Sequence, residues 1–192
     1  MNVIPHWAEV LLQAAAELVF ALVALPLYVF LVLPKYDAGV LPGFSPVIAQ
    51  DANPYLAVAL AVVVFLAAVG FALFLVRVAG KERVITKEIS TLATNYSILD
   101  MVPVYAAAGF AEEFLFRVVL IDLVGFVIAS VLFAAAHFAY WKHPYLLVDV
   151  FVVALLIGGL YLYTQSLLLC ALAHFAYNMA ITYLTKTRFA FL

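Results

Sequence analysis

The sequence predicts an all-α membrane protein, a polytopic bundle of about six transmembrane helices around a membrane-embedded polar cavity. Of its 192 residues, 69% are hydrophobic and only 10% are charged, whereas a soluble domain carries about 25% charged residues. The apolar runs are continuous and long enough to cross the hydrocarbon core as helices. They lack the alternation typical of a membrane β-barrel. No basic patch is visible, so a nucleic-acid partner is not expected, whereas membrane lipid is.

The predicted spans follow one another with short connections. Proline and glycine end the first two spans at Pro34 and Gly80, because neither residue continues a helix well. Asp100 is well placed to cap the third span. Asp122 and Gly125 predict a tight turn before a short fourth span, whose end we expect to be buried in the bundle. The six spans are expected at roughly residues 7–33, 55–79, 100–121, 126–141, 145–163 and 166–185.

The connections contain no sign of a second domain. Residues 35–54 are rich in Pro, Gly, Asp and Asn and indicate a loop. Residues 81–100 are polar with irregularly spaced apolar positions, which favours a partly interfacial helix. Residues 1–192 are therefore predicted to form a single transmembrane domain. The one cysteine, Cys170, lies in the middle of a span and is expected to pack as a small hydrophobic residue.

The distribution of basic residues predicts that both termini are cytoplasmic. If the N-terminus is inside, Lys35 falls outside, Arg117 lies within the membrane, and the other seven basic residues fall inside. Cytoplasmic segments of membrane proteins carry such an excess of Lys and Arg. The seven are Arg77, Lys81, Arg83, Lys87, Lys142, Lys186 and Arg188. We expect the plasma membrane of a prokaryote for so compact a chain.

The third predicted span carries charges that need partners or a function. Each charge in the middle of a bilayer costs from about 2.5 kcal/mol upward, yet this span contains Glu112, Glu113 and Arg117. Glu113 and Arg117 are four residues apart on one helix face, and Glu112 is turned about 100° away. The pattern predicts a Glu113–Arg117 ion pair that leaves Glu112 free to act as a general acid or base. A purely structural sharing of Arg117 by both glutamates is the alternative.

Two later spans place histidines at overlapping depth. His137 follows Phe133 by one helical turn, so the two rings can stack, and His174 precedes Asn178 by one turn. Singly, each residue is explained by packing or interhelical hydrogen bonding. Together with Glu112, they form a polar set on three spans that packing alone explains poorly.

Other polar or small residues within the spans have simpler interpretations. Glu9, Gln13 and Glu17 share a face of the first span and could line the cavity, although an inward-facing polar seam or an interfacial stretch is favoured. Asp149 is expected at the interface or against a neighbouring helix. Gly158 and Gly159 indicate a close helix contact.

The polar set is compatible with two chemistries. A glutamate and a histidine could hold and deprotonate a water while histidine and asparagine stabilise an oxyanion, which is amide hydrolysis without a covalent intermediate. Two histidines and a glutamate could instead bind zinc, although the usual HExxH spacing is absent. No metal or other cofactor is predicted.

The three motifs, in order, resemble a known family. EExxxR at residues 112–117, FxxxH at 133–137 and HxxxN at 174–178 are similar to the motifs of the CAAX protease and bacteriocin-processing family of intramembrane endopeptidases, which includes the type II CAAX prenyl protease. The stretch at 157–178 also resembles that family's approach to its last motif. The resemblance covers roughly residues 101–185, which we take as the catalytic core.

The resemblance implies a glutamate-dependent endopeptidase that cleaves a membrane-associated peptide or lipidated protein, either of the prenylated CAAX type or a bacteriocin or pheromone precursor. By motif position, Glu112 and His137 would activate the water, and His174 and Asn178 would stabilise the oxyanion. The remaining motif residues would orient the site; these are Glu113, Arg117 and Phe133. A metal-dependent protease using the same residues and a non-enzymatic immunity or scaffold protein remain as alternatives.

Overall fold

The computed structural model describes residues 5–37, 41–44, 53–85 and 87–187, and over these residues it contains helices and no strand. The expected loop at 35–54 lies largely outside the described residues, as does Arg188. The α-helices are α1 (His6–Glu17), α2 (Val19–Leu27), α3 (Pro54–Ala79), α4 (Lys81–Val84), α5 (Lys87–Asn95), α6 (Ile98–Glu113), α7 (Ile121–Val124), α8 (Phe126–Ala136), α9 (Pro144–Thr164) and α10 (Leu167–Thr187). Two π-helical segments (Tyr28–Val32 and Phe114–Leu120) and two 3₁₀ turns (Leu33–Lys35 and Phe138–Tyr140) complete them.

The predicted all-α membrane bundle is confirmed. Four helical stretches are long and apolar enough to cross a bilayer: His6–Lys35, Pro54–Ala79, Pro144–Thr164 and Leu167–Thr187. A fifth continuous helical stretch consists of α6, the π-helical segment Phe114–Leu120 and α7, and it carries the charged motif. Most large apolar side chains of α1, α2 and α3 face outward, as expected for helices whose solvent is lipid. The chain is therefore an integral membrane protein.

Helix α8 is shorter than the sequence predicts. The expected fourth span at 126–141 ends at Ala136, and its 11 residues extend only about 16 Å. His137 leaves the helical conformation with φ −82° and ψ 53°. Its ring nitrogen bonds the Phe133 carbonyl, which takes up a carbonyl left free by the end of the helix. A 3₁₀ turn follows at Phe138–Tyr140, and residues 137–143 contain no α-helix.

The N-cap of the third span lies three residues before the predicted one. Ser97, not Asp100, is the N-cap residue, and the prediction of an Asp100 cap was wrong. The Ser97 hydroxyl accepts from the Asp100 backbone N–H at 3.2 Å, and the Asp100 carboxylate accepts from the Ser97 N–H at 2.7 Å. This reciprocal capping box satisfies two N–H groups instead of one. The predicted turn is confirmed: Gly125 has φ +87° and separates α7 from α8.

Polar contacts at both ends show that the first and third spans run in the same direction. At one end, His6 Nε2 lies 3.1 Å from Asp100 Oδ2. At the other end, Lys35 Nζ donates to Asp122 at 2.6 Å, and the Tyr36 hydroxyl donates to the same carboxylate at 2.9 Å. Partial burial, and to a smaller extent the Asp122 carboxylate, raises the pKa of the Tyr36 phenol. These contacts fix α6 alongside the first span.

Small residues bring helices into close contact next to the motifs. A Cβ atom on Gly109 of α6 would lie 2.9 Å from the Ala171 carbonyl of α10, so glycine permits the two backbones to meet there. A Cβ atom on Gly158 would lie 2.6 Å from the ring of Phe126, whereas one on Gly159 would meet nothing within 4 Å. The close contact predicted for the glycine pair is therefore made by Gly158.

Candidate active site

The ion pair between Glu113 and Arg117 is fully buried. Arg117 Nε donates to Glu113 Oε2 at 2.6 Å, Nη2 donates to Oε1 at 3.4 Å, and both side chains have no exposed area. Arg117 belongs to the π-helical segment that begins directly after Glu113. Such segments occur preferentially at functional sites. The pair lets both charges remain inside the bundle, where either one alone would be costly.

His174 of α10 joins the same pair. Its Nδ1 lies 2.9 Å from Glu113 Oε1, and the ionised carboxylate can only accept, so Nδ1 carries the hydrogen. His174 is 5% exposed. Sequence spacing did not predict this contact, because it identifies the faces of a helix and not which helices meet. Glu113 therefore orients both a cation and an imidazole, and its bond to Nδ1 resembles the bond from carboxylate to imidazole in a Ser-His-Asp triad.

Phe133 lies at the centre of the cluster. The guanidinium carbon of Arg117 is 4.7 Å from the centre of the Phe133 ring, within the range of a cation–π interaction. The ring also packs against two imidazoles, with centroid distances of 4.8 Å to His137 and 5.8 Å to His174. The sequence predicted the ring contact with His137; the contacts with Arg117 and His174 come from the tertiary packing.

His137 presents a lone pair to the interior. Its Nδ1 is 2.8 Å from the Phe133 carbonyl oxygen, which can only accept, so Nδ1 carries the hydrogen. In the neutral ring, Nε2 is then an acceptor. This Nε2 lies 3.9 Å from Oε2 of Glu112, which is too long for a direct hydrogen bond. The His137 side chain is 22% exposed and that of Glu112 is 9% exposed, so the gap between them is on the edge of the buried cluster.

Glu112 differs from its neighbour in having no close partner. Its Oε2 atom is buried and accepts no hydrogen bond within the described part of the chain. The π-helical segment and the Glu113–Arg117 pair leave this carboxylate on a separate face, so the structure does not show both glutamates sharing Arg117. A buried acceptor of this kind normally holds an ordered water or a ligand.

Asn178 is placed less directly. It lies on α10 one turn from His174 and is half-buried, and it makes no hydrogen bond to the residues described in the structure. Its carboxamide is therefore free to bind a group that is not part of the chain. The structure brings Glu112 close to His137 and brings Glu113 close to Arg117 and His174, with Phe133 between the two groups.

Two polar contacts near the site were not singled out from the sequence. Asp149 is buried and accepts from the Tyr177 hydroxyl, while its other oxygen has no partner among the described residues. Tyr105 of α6 and Thr182 of α10 are 2.7 Å apart through their hydroxyls. The first contact gives Asp149 a neighbouring helix, one of the two settings expected for it, although a lone aspartate in a span does not name its partner.

The donor geometry does not favour a zinc centre. Over residues 5–37, 41–44, 53–85 and 87–187, no three His, Cys, Asp or Glu side chains are grouped closely enough to share a metal ion. Glu113 and His174 also use the atoms that face each other for their own hydrogen bond. The arrangement is better suited to holding a water between Glu112 and His137.

Comparison with known proteins supports the family suggested by the motifs. Residues 94–180 match the family described as type II CAAX prenyl endopeptidase Rce1-like, a range that includes all three motifs. The uncharacterized protein YpbD of Bacillus subtilis (strain 168) is 42% identical over 67 residues, which are 35% of each chain. The chain thus spans about a third of the length of this curated relative. No solved structure matches the chain.

The predicted family resemblance is confirmed for the part of the chain that carries the motifs. Residues 94–180 match the Rce1-like family, which is consistent with the resemblance to the CAAX protease and bacteriocin-processing family.

Proposed function

We propose that this chain, whose residues 94–180 carry an Rce1-like domain, is an intramembrane endopeptidase of the glutamic type. Glu112 and His137 activate a water, which hydrolyses a peptide bond of a membrane-associated peptide or a lipidated protein. The observation that carries the proposal is the 3.9 Å gap between Oε2 of Glu112 and Nε2 of His137. A water about 2.8 Å from each atom fits this gap and donates one hydrogen to each acceptor.

A water held in this way is oriented for attack. Both of its hydrogens point at acceptors, so its lone pairs face away from Glu112 and His137 toward the substrate. As the water oxygen bonds to the scissile carbonyl carbon, Glu112 takes a proton and the carbonyl oxygen becomes an oxyanion. When the carbon–nitrogen bond breaks, the same proton passes to the leaving nitrogen, and the carboxylate is restored.

His174 and Asn178 are suited to stabilise the oxyanion. Glu113 accepts from Nδ1 of His174 and so favours a proton on Nε2, which then donates to the developing charge. Asn178 adds an amide donor one turn along the same face of α10. Arg117 keeps Glu113 ionised and in position, and Phe133 holds the imidazoles of both histidines by contact.

The proposal is tested by replacing the base with its neutral isostere. Glu112→Gln keeps the size of the side chain and should lower cleavage by about 10²- to 10⁴-fold, the usual contribution of a general base. Glu82→Gln, the same change at an exposed position of α4, is the matched control and should keep full activity. Cleavage is measured by mass spectrometry on a prenylated CAAX-type peptide and on an unmodified leader-type peptide.

The outcomes separate the proposal from its alternatives. Undiminished cleavage by Glu112→Gln would exclude the proposed base. Loss of cleavage on chelation, with a metal found by elemental analysis, would favour the metal-dependent alternative. Peptides that bind to the unaltered protein and are never cleaved would favour an immunity or scaffold protein.

We also propose cytoplasmic termini in a prokaryotic plasma membrane. The excess of Lys and Arg on one side supports this orientation. The contact of Lys186 Nζ with the Tyr96 carbonyl at 3.2 Å brings the end of α10 to the same side as His6 and Asp100. A cysteine labelled from the periplasm at residue 6 would contradict the orientation.

A further inference from the structure

A surface pocket of about 340 Å³ lies where α4 meets the start of α9. Its lining comes from two stretches that are far apart in sequence: α4, and the end of the connection from α8 together with the first turn of α9. The lining residues are Glu82, Arg83, Lys142, His143, Pro144 and Tyr145. None of them belongs to the candidate active site, so the pocket needs an explanation of its own.

The pocket lies at the depth of the lipid headgroups. Arg83 follows the last residue of the membrane-spanning α3 by four positions, and Lys142 precedes the first residue of the membrane-spanning α9 by two. The headgroup layer is about 5–7 Å thick on each side of the hydrocarbon core, so residues this close to two span ends lie within it. Trp141, beside Lys142, is 63% exposed, as is typical of tryptophan at a membrane interface.

The basic side chains of the pocket have no partner within the described part of the chain. Arg83 and Lys142 are exposed and His143 is half-buried, and none of the three side chains forms an ion pair or hydrogen bond with a described residue. By contrast, Lys35 at another span end pairs with Asp122 at 2.6 Å. Like charges that converge on one concavity repel each other, and an anion bound between them offsets that cost.

A phosphodiester fits these groups. The guanidinium of Arg83 can present two N–H donors to two phosphate oxygens, and the ammonium of Lys142 adds a second positive charge. The first turn of α9 has no acidic residue and no capping side chain, so the positive end of the helix adds to the same field. Glu82 brings one negative charge to the lining. With His143 neutral, the lining therefore has a net charge of one positive unit, which matches the single negative charge of a phosphodiester.

We propose that this pocket binds the phosphodiester headgroup of an anionic phospholipid, and that Arg83 and Lys142 contact the phosphate. The bilayer itself supplies phosphodiesters at this depth. A phosphatidylglycerol headgroup carries no cation, whereas the choline of phosphatidylcholine would meet the basic side chains. The bound lipid joins α4 to residues 137–143, the connection that begins at His137. This site is separate from the proposed catalysis and does not depend on it.

The test uses the full chain in phosphatidylcholine nanodiscs and detects the lipid beside Trp141. The chain contains two tryptophans, so Trp7→Phe leaves Trp141 as the single reporter, and its indole donates to the Ala135 carbonyl at 3.0 Å. Bromine on an acyl chain quenches a tryptophan that it contacts. Brominated phosphatidylglycerol is therefore compared with the same small fraction of brominated phosphatidylcholine. We expect about tenfold stronger association of phosphatidylglycerol, as for a charge-assisted contact.

Two double variants with the same loss of charge identify the site. Arg83→Gln/Lys142→Gln removes two cations of the pocket and should abolish most of the tenfold preference. Arg77→Gln/Lys87→Gln removes two exposed cations that do not line the pocket and should keep it. All four positions are exposed, so both variants should fold. If the pocket variant does not fold, the comparison of the two lipids on the protein with the pocket intact still decides.

Inorganic phosphate distinguishes the lipid headgroup from a free anion. Phosphate that shifts the Trp141 emission, with no preference for phosphatidylglycerol, would assign the pocket to a free anion and overturn the lipid proposal. Equal association of the two lipids without any effect of phosphate would overturn the site altogether. Equal losses of preference in the two double variants would also overturn it, because the attraction would then come from the whole basic surface. Loss in the pocket variant alone supports the proposal.

Discussion

Replacing Arg117 alone should destabilise the protein more than replacing Arg117 and neutralising its partner Glu113 together. Arg117→Met keeps most of the apolar volume and deletes the guanidinium. It leaves the carboxylate of Glu113 fully buried, with only the imidazole of His174 beside it. In Glu113→Gln/Arg117→Met both charges are absent, and the glutamine oxygen still accepts from His174.

The buried contacts of Arg117 set the expected difference in stability between the single and the double variant. An uncompensated buried charge costs about 3–5 kcal/mol, and loss of the cation over the ring of Phe133 adds up to about 2 kcal/mol. For a chain of this length, each kcal/mol corresponds to roughly 2–4 °C in Tm. We expect Arg117→Met to lower Tm by about 6–28 °C and the double variant to recover at least half of that loss.

Cys170 supplies the assay. It is the only cysteine in the chain and is fully buried, so a dye that fluoresces on reaction with a thiol reports unfolding in detergent. Arg77→Met, at an exposed position near the end of α3, should stay within about 0.5 kcal/mol. A double variant as unstable as Arg117→Met alone would refute the reasoning, because the cost would then not come from the unpaired carboxylate of Glu113.

Further predictions concern packing and a second buried carboxylate. Gly158→Ala should cost about 1–3 kcal/mol of stability, because its Cβ would lie 2.6 Å from the ring of Phe126. The neighbouring Gly159→Ala should be nearly neutral. The same thermal assay compares the two variants, and equal losses of stability would contradict the contact. Tyr177→Phe should cost about 1–3 kcal/mol by leaving Asp149 without its donor, whereas Asp149→Asn keeps an acceptor and should cost less. Denaturation in detergent measures both, and a larger loss for the asparagine variant would count against this account.

Local chemistry determined how much of the fold could be predicted. Continuous apolar runs identified the membrane helices, since helix length and bilayer thickness are physically linked. The N-terminus of α6 was missed because Ser97 and Asp100 can each cap a helix, and the sequence S-x-x-D allows both in one capping box. The early end of α8 depends on the His137 ring bonding a backbone carbonyl, which apolar patterning does not reveal.

The candidate site, like the fold, could be predicted only in part. The four-residue interval predicted the Glu113–Arg117 pair, because both ends lie on one helix. The contact of His174 with Glu113 depends on how α10 packs against α6, and Gly109 permits that packing by bringing the two backbones together. The catalytic roles of Glu112, His137 and Asn178 stay predictions until the variants are measured.

The brevity of α8 has a consequence for the surrounding lipid. A helix of 11 residues crosses only about half of a ~30 Å hydrocarbon layer, and irregular backbone beyond it must meet water or protein. The bilayer beside α8 should therefore be locally thinner, so that water reaches the His137 ring from one side of the membrane. Reconstitution in short-chain phosphatidylcholine should then favour turnover over long-chain bilayers, which would make membrane thickness itself a regulator of the reaction.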